Sequence, residues 1–526
     1  MGILENFFIT QANSLLNRRA RSKAQPPSSV EQIPIGRLIP PDETLPSSEI
    51  VTLSQNDRDR HLYLLGATGV GKTTLLMRLI ESDIERERAF CVVDLRGDLV
   101  ERILLRLAAS APPEAWRERL LLLDLRETEY VVGFNPLVGE GDVYDRALYL
   151  LSVIKNQSES WGIQLEETLR CSLIALAETG WSLLEVGHLL TNPSFRSQVL
   201  RSVSDPSVLS FFATFEKLSA NNQLTWTLPV LNKITPFTSL PTLRLMFGGR
   251  QPLPLRRLMD TKPGMIVLVS LAVDKYHDVS RLAGGLFVSS FQNAIMSRVD
   301  MPESKRVPAN LIVDDFESMA NERFASIVAV SRRFGLGLTL SHQNISQLPT
   351  SLREVLRNNV RTQLYFQTGA HDARELSGEI SSDIPIKDIR AMLISQKTGQ
   401  AYLVRRGQES VRVQVNYVPE PSVTSAQVRA VRQASLEFYG RPRADVEMEL
   451  KERDQAWRSS SNPATPEAPV YVINHEKRET FKPTPPPPSP DTPPKPSNRK
   501  PRIPPINDTK KPLSDPSVEN TTTENP

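Results

Sequence analysis

One glycine-rich stretch constrains the fold of this chain more than any other. Residues 61–80 read HLYLLGATGVGKTTLLMRLI, a short apolar run followed by a loop and an amphipathic helix. The loop fits the pattern G-x-x-x-x-G-K-[ST], with Gly66, Gly71, Lys72 and Thr73 at the fixed positions. Glycines there permit the backbone angles and the close approach that a phosphate-binding loop needs. The sequence therefore predicts a P-loop between a strand and a helix, and hence binding of a nucleoside triphosphate.

The residues of this loop have separate expected roles. Lys72 reaches the β- and γ-phosphates of the nucleotide, and Thr73 offers its hydroxyl to Mg²⁺. The following helix points the positive end of its dipole at the bound anion. We therefore expect a nucleoside triphosphate and Mg²⁺ as ligands. The predicted nucleotide-binding residues are Gly66, Ala67, Thr68, Gly69, Val70, Gly71, Lys72, Thr73 and Thr74.

Strand and helix patterns alternate along much of the chain. A buried run ends at Asp94, residues 99–107 read as a helix, and residues 120–125 read as the next strand. Apolar strand patterns resume later with GMIVLVSL, NLIVDD and GLTLSHQ. Such alternation favours an α/β fold with a doubly wound sheet. We predict a RecA-like P-loop NTPase fold with a parallel or mixed sheet, an all-α inserted domain and a disordered C-terminal tail.

The composition changes along the chain and suggests regional boundaries. Residues 142–250 show helical periodicity and almost no strand signal. From about residue 458 the chain is rich in Pro, Ser and Thr, a composition that cannot bury enough apolar area to fold. The expected regions are an N-terminal basic helix and linker at 1–32, a motor domain at 33–141 and 251–420, an all-α inserted domain at 142–250, a C-terminal helical extension at 421–455 and a disordered proline-rich tail at 456–526.

Acidic and amide side chains follow two later strands and supply the second half of a hydrolysis site. Asp314 and Asp315 come directly after the apolar run LIV, and Gln343 ends the next apolar strand. We expect Asp314 to hold Mg²⁺ together with Thr73, Asp315 to act as the base, and Gln343 to sense the γ-phosphate. The alternatives are a pair of surface acids that cap the next helix, and a structural hydrogen bond from the amide.

Two further sets of residues have open roles. Asp94, at the tip of the strand after the P-loop helix, either supports the metal shell or caps a turn. Arg332, Arg333, Arg357 and Arg361 are candidates for an arginine finger that acts on the nucleotide of a neighbouring subunit. The alternative for each arginine is a charge that compensates a helix end.

Charge and hydrophobicity restrict the class of protein. The formal net charge of +3 gives no support for a nucleic-acid partner. Cys91 and Cys171 lie in apolar patterns and are expected to be buried thiols in a reducing compartment. No run of about 18 apolar residues is present, so no membrane span is predicted. We expect a cytoplasmic protein.

Six segments in order resemble the HerA/FtsK superfamily of ring-forming DNA-pumping ATPases. The chain is most similar there to the conjugative coupling ATPases of type IV secretion systems, the TraD/TraG-like group. The resemblance covers roughly residues 35–420, including the helical insertion. The segments are GATGVGKTTLL, DLRGDL, GFNPL, LIVDDFESMA, SRRFGLGLTLSHQNISQLP and RNNVRTQLYFQTGAHDARELS.

The resemblance implies a homo-hexameric ring that hydrolyses ATP at its subunit interfaces. Such a ring drives DNA through its pore, or delivers a relaxase–DNA complex to the proteins of a secretion channel. Lys72, Asp314, Asp315 and Gln343 then become the catalytic residues. The family usually has Asp-Glu where this chain has Asp314-Asp315, so the base is shorter and hydrolysis is expected to be slow. Coupling proteins of the group often carry N-terminal membrane helices, which this sequence does not show. Recruitment to the inner face of the membrane would then need a partner or the basic N-terminal helix, whose alternative role is a solvated, frayed terminus.

Three functions follow from the sequence. The first is an ATP-driven DNA translocase that serves conjugative transfer. The second is a HerA-like cytosolic pump that processes DNA for repair or segregation together with a nuclease. The third is a weakly hydrolysing, nucleotide-dependent adaptor that its proline-rich tail recruits, and Asp315 is the feature that keeps this function open.

Overall fold

The structure is a computed structural model, and it describes residues 32–460 apart from 41–44, 157, 159 and 320–321. The basic helix predicted before Gln32 and the proline-rich segment beyond Ser460 lie outside the described residues. The last described helix reaches Ser460, beyond the predicted start of the tail at residue 456.

A large mixed sheet forms the centre of the described chain. Eleven strands lie in the order β2-β1-β12-β11-β10-β3-β9-β8-β4-β7-β5, and β6 pairs with β13 in a separate ribbon. The described strands are β1 (Gln32–Ile39), β2 (Ile50–Ser54), β3 (Leu62–Leu65), β4 (Ala89–Asp94), β5 (Leu120–Asp124), β6 (Tyr130–Val131), β7 (Ile266–Ser270), β8 (Ala309–Asp314), β9 (Leu336–His342), β10 (Thr362–Tyr365), β11 (Gln400–Arg405), β12 (Val411–Val415) and β13 (Arg441–Pro442).

The two halves of the large sheet differ in strand direction. All neighbours from β10 to β5 are parallel. All neighbours from β2 to β10 are antiparallel. The parallel half has helices between its strands, as parallel connections require. The predicted α/β class with a mixed sheet is therefore confirmed.

Helices cover both faces of this sheet. The described helices are α1 (Gln55–Asp59), α2 (Lys72–Glu85), α3 (Asp98–Ser110), α4 (Pro113–Trp116), α5 (Val143–Asn156), α6 (Ile163–Thr179), α7 (Val186–Thr191), α8 (Pro193–Leu200), α9 (Pro206–Glu216), α10 (Ala220–Ser239), α11 (Pro241–Phe247), α12 (Leu255–Asp260), α13 (Val273–Met296), α14 (Glu322–Val330), α15 (Thr350–Asn359), α16 (Ala370–Leu376), α17 (Ile386–Ser395), α18 (Ser425–Tyr439) and α19 (Arg443–Ser460).

Between β6 and β7 the described residues form the helices α5 to α12 and no strand. Polar caps start several of them: Asn192 accepts a hydrogen bond from the N–H of Phe195 at 3.1 Å, and Asp205 accepts one from Ser207 at 2.6 Å. The all-α character predicted for this insertion is observed, while its boundaries as a domain at 142 and 250 stay a prediction.

The apolar core lies on both faces of the sheet. Alternate residues of one strand point to opposite faces, so Leu62 and Leu64 of β3 join one cluster while Tyr63 and Leu65 join another. Helices α2 and α3 contribute buried side chains to the first cluster, and α5, α6 and α13 contribute to the second. Burial on both faces explains why the parallel strands read as unbroken apolar runs.

The last two helices connect the outer edge of the sheet with the insertion. On α18, the Ser435 hydroxyl accepts from the Leu122 N–H at 3.1 Å and donates to the Leu120 carbonyl at 2.8 Å. On α19, Arg453 pairs with Glu185 of the insertion at 3.0 Å. Helix α18 therefore covers the otherwise open edge of β5. No helix of the described residues is long and apolar enough to cross a membrane.

Candidate nucleotide-binding site

The carboxyl ends of neighbouring parallel strands meet at one edge of the sheet and bring the predicted site together. Leu65, the last residue of β3, pairs in register with His342 of β9. Asp94, at the end of β4, pairs with Asp314 at the end of β8. Because these strands are adjacent in the order β3-β9-β8-β4, the P-loop, Gln343 and the two aspartates face a common space.

The P-loop has the backbone shape that its glycines predict. Gly69 and Gly71 have φ of 79° and 113°, in the left-handed region that disfavours other residues. A β-carbon at Gly66 would lie 2.6 Å from that of Phe366, so the strand end after β10 leaves no room for a side chain. These angles turn successive N–H groups toward the mouth of the loop, where Ala67 and Thr68 are exposed.

Lys72 lies folded into the loop. Its ammonium donates to the Gly66 carbonyl at 2.7 Å and to the Ala67 carbonyl at 2.9 Å. Burial lowers the pKa of Lys72, while the carboxylates of Asp314 and Asp315 oppose that shift. The lysine is therefore a cation held at the mouth of the loop with acidic groups opposite it, and a polyphosphate can replace the two carbonyls as its partner.

Asp314 is the acidic group most affected by its surroundings. Burial raises its pKa to about 6, and the neighbouring charge of Asp315 adds to the rise. A divalent cation beside the carboxylate would reverse this effect, because it stabilises the charged form. Asp314 thus has the position and the chemistry of a ligand for Mg²⁺.

Gln343 joins the P-loop to Asp315. The Thr68 hydroxyl donates to the Gln343 amide oxygen at 3.1 Å, and the amide nitrogen donates to the Asp315 carboxylate at 3.1 Å. The backbone of Asp315 is in the left-handed region, with φ of 50°, an angle that Asp tolerates better than most residues. One amide therefore contacts both the loop that would hold the phosphates and the candidate base, and its role as a sensor stays a prediction.

Asp94 caps the turn after β4. Its carboxylate accepts hydrogen bonds from the N–H groups of Arg96 at 3.0 Å, Leu99 at 2.8 Å and Val100 at 3.1 Å. These contacts satisfy the first N–H groups of α3. Of the two roles considered for Asp94, turn capping is the one that these contacts describe.

Two residues near the site had no predicted role. Arg96 Nε lies 3.5 Å from Asp315 Oδ2. Glu317, in a short 3-10 turn after Asp315, has a pKa raised to about 7 by burial and then by the charges of Asp315 and Asp314. One Glu317 oxygen is buried without a hydrogen-bond partner among the described residues. The sequence features that could have pointed to them are the arginine in DLRGDL for Arg96 and the third acidic residue in DDFE for Glu317.

The candidate arginine fingers lie at the opposite end of the parallel strands, where these strands begin. Arg332 and Arg333 form part of a 3-10 turn that precedes β9, and Arg361 directly precedes β10. All three are exposed and form no ion pair with a described residue. The structure does not bring them to the P-loop of their own chain. Arg357, in contrast, is engaged by Glu375 at 2.6 Å and by Glu379 at 2.7 Å.

The residues present fit ATP and Mg²⁺. Among the described residues no group of three or more His, Cys, Asp or Glu could hold a metal by itself. Mg²⁺ at phosphate sites needs only one or two protein ligands, because waters and phosphate oxygens complete its shell. Asp314 and the half-buried Thr73 of α2 provide such oxygen ligands. Bound Mg²⁺ would neutralise charge on the phosphates, and the protein would supply position, cations and a base. The roles of the individual residues stay predictions.

Comparisons with known proteins agree with this geometry. Residues 47–105 match the family model described as the DNA-binding domain of the type IV secretion-system coupling protein. These residues run from just before β2 to α3 and include the P-loop. No curated protein matches the chain.

Solved structures with a similar fold include the bacterial conjugative coupling protein TrwBdeltaN70 in an unbound monoclinic form and the plasmid coupling protein TrwB in complex with ADP and Mg²⁺. Each is 18% identical, with 72% of this chain and 89% of the other covered and a TM-score of 0.52. VirB4 of Thermoanaerobacter pseudethanolicus matches at 14% identity, with 74% and 97% covered and a TM-score of 0.49. The chain therefore has the P-loop ATPase fold of the conjugative coupling proteins, the group that its motifs resemble.

Proposed function

We propose that this protein is an ATP-driven DNA translocase of the coupling type, which moves DNA or a relaxase–DNA complex in conjugative or type IV secretion transfer. ATP with Mg²⁺ is the fuel, and Lys72, Asp314, Asp315 and Gln343 carry out hydrolysis. The working form is a homo-hexameric ring. It acts in the cytoplasm at the inner face of the membrane, where relaxase and secretion-channel proteins are its partners.

One observation carries the hydrolytic part of this proposal. Gln343 contacts Thr68 of the P-loop and Asp315 of the acidic pair at the same time, with 3.1 Å to each. A residue that touches both can couple the presence of a terminal phosphate to the position of the base. A protein that only binds nucleotide needs no such link between its P-loop and a second strand.

The match of residues 47–105 supports the DNA part, because the matched model describes a DNA-binding domain of coupling proteins. The TrwB structure with ADP and Mg²⁺ supports the choice of nucleotide and metal. The near-neutral net charge of +3 leaves DNA contact to local groups of Lys and Arg.

The test is ATP hydrolysis with and without DNA. The wild-type protein is expected to hydrolyse ATP faster when DNA is added. Lys72→Ala should reduce the rate by about a hundredfold or more, because a cation at the transferred phosphate is lost. Asp315→Asn should reduce it by about a hundredfold at nearly unchanged shape, because the base is lost. Arg201→Ala, an exposed arginine of the helical insertion, serves as the control and should hydrolyse ATP like the wild type.

If the wild-type protein hardly hydrolyses ATP and DNA does not change the rate, the translocase proposal is wrong and a nucleotide-dependent adaptor is favoured. DNA-stimulated turnover that survives Lys72→Ala would instead place hydrolysis at another site.

A further inference from the structure

Arg96 is a loosely held cation beside the candidate base. Its Nε lies 3.5 Å from Asp315 Oδ2, with 54% of the arginine side chain and 22% of the aspartate side chain exposed. The guanidinium forms no hydrogen bond and no other ion pair with a described residue. Exposed ion pairs of this kind are weak and easily exchanged. The other carboxylate oxygen of Asp315 is held by Gln343.

The backbone that carries Arg96 is fixed. Its N–H donates to Asp94 at 3.0 Å, and its carbonyl accepts from Arg126 at 2.7 Å. Gly97 follows with φ of 94°, and a β-carbon there would lie 2.5 Å from an Arg126 nitrogen. Because the turn is fixed at both peptide groups, a change in the position of the guanidinium must come from rotation of its side chain.

Arg96 is linked to the P-loop through two side chains. It contacts Asp315, Gln343 donates to Asp315, and the Thr68 hydroxyl of the P-loop donates to Gln343. The charge of Arg96 is also among the causes that lower the pKa of Lys72, after burial.

We propose that Arg96 is a triphosphate switch that acts within its own subunit: it exchanges its contact with Asp315 for the terminal phosphate when a nucleoside triphosphate binds. A phosphate can engage the guanidinium fork with two hydrogen bonds, which the present contact through Nε does not. Release of Arg96 leaves one oxygen of Asp315 free to accept a proton from water, while Gln343 holds the other. The proposal rests on the proposed function only for the nucleotide that the P-loop binds.

Nucleotide affinity tests this switch without reference to hydrolysis. Arg96→Ala is expected to weaken binding of a non-hydrolysable ATP analogue by about tenfold to a hundredfold, as for loss of a charged hydrogen bond. Affinity for ADP should not change, since ADP has no terminal phosphate at that position. Arg96→Lys keeps the positive charge but not the two-pronged guanidinium, so its affinity for the ATP analogue should lie between those of the wild type and Arg96→Ala. Arg201→Ala is the matched control and should bind both nucleotides like the wild type.

A double-mutant comparison separates the switch from simple repulsion between Asp315 and the phosphates. Asp315→Asn removes the partner of Arg96 and should raise affinity for the ATP analogue. If the gain comes from release of Arg96, it disappears when Asp315→Asn is made together with Arg96→Ala. A gain that persists in the double variant would show repulsion alone and overturn the switch.

The two proposals fail in different ways. If Arg96→Ala binds the ATP analogue as tightly as the wild type does, and DNA stimulates hydrolysis by the wild type, then the switch is wrong and the translocase proposal stands. An Arg96-dependent preference for the triphosphate, beside hydrolysis that DNA does not affect, overturns the translocase and leaves the switch.

Discussion

His61, the residue before β3, is a buried imidazole that the P-loop strand depends on. Its Nδ1 accepts a hydrogen bond from the Leu338 N–H at 3.1 Å, so its Nε2 carries the proton that is donated to the Val328 carbonyl at 3.1 Å. Burial lowers the pKa of His61 to about 4. The side chain is therefore neutral and joins β3 to β9, whose ends carry the P-loop and Gln343.

This arrangement predicts an acid-sensitive fold. The pKa of His61 is lower in the folded chain than its ordinary 6.5, so the unfolded chain binds the proton first as the pH falls. Stability is then lost between about pH 6.5 and pH 4, by about 2 kcal/mol from pH 7 to pH 5. His61→Asn should lack this loss, and Asn tolerates the φ of 69° at this position. The measurement is chemical unfolding at both pH values; equal losses in the two proteins would contradict the prediction.

Residues with a fixed spacing were predictable from the sequence, and residues that depend on distant neighbours were not. Lys72 follows from its own loop, and Asp314 follows from an apolar strand that ends in an acid. Arg96 lies 3.5 Å from Asp315, although 219 positions separate them in the sequence. Only the strand order, with β4 beside β8, brings the two together. No local pattern distinguishes Arg96 from an ordinary surface arginine.

A buried ion pair joins three elements around the P-loop. Arg58 of α1 and Asp83 of α2 form two hydrogen bonds of 2.6 Å, and both side chains are fully buried. Asn310 of β8 also donates to Asp83, at 3.3 Å. The helix before the P-loop strand, the helix after the P-loop and the strand that carries Asp314 are thus tied at the end opposite to the site.

Loss of one partner should cost more than loss of both. Asp83→Ala leaves a buried guanidinium without its partner and should lower the free energy of unfolding by about 3 to 5 kcal/mol. The pair of changes Arg58→Met and Asp83→Leu removes both charges at similar volume and should recover most of that loss. Unfolding in urea, followed by tryptophan fluorescence, measures both. A double variant as unstable as Asp83→Ala would show that packing, not the unpaired charge, dominates.

The elements differ in how far the sequence predicted them. A clear apolar period between Thr424 and Gly440 predicts a helix over 425–439, and α18 has these bounds. The apolar period also predicts a helix over 282–297, but α13 begins at Val273, since its first turns are polar and its backbone breaks at His277. The sequence does not predict how the antiparallel strands are ordered, because pairing between β1 and β12 joins distant parts of the chain.

At the scale of the whole molecule, the candidate site and the candidate arginine fingers lie at opposite ends of the parallel strands. The P-loop and the acidic pair lie at the carboxyl edge, and Arg332, Arg333 and Arg361 lie exposed at the other. If one of these arginines is an arginine finger, it serves the nucleotide of a neighbouring subunit and not that of its own chain. In a ring, a heterologous interface brings the two unlike edges of adjacent subunits together.

Mixing of two inactive variants tests this arrangement. Lys72→Ala removes the lysine of the nucleotide site but retains the candidate arginine finger. Arg332→Ala retains the nucleotide site but removes that arginine. Each variant alone should hydrolyse ATP poorly. In rings mixed from equal parts, about a quarter of the interfaces combine an intact site with an intact finger, so about a quarter of the wild-type activity should return. The same mixture with Arg333→Ala or Arg361→Ala in place of Arg332→Ala identifies which arginine acts. A mixture no more active than its parts, for all three arginines, would contradict a finger in trans.

The place where the helical insertion joins the sheet has a further consequence. It lies between β6 and β7, and β7 is separated from the acidic strand β8 by β4. The insertion lies in none of the segments that carry Lys72, Asp314 or Gln343. Its helices α5 and α6 share one buried apolar cluster with the strands, so changes in the insertion that keep this packing leave the strand order around the nucleotide the same. Selection for new partners can therefore change the helical insertion without changing the arrangement of the residues around the nucleotide.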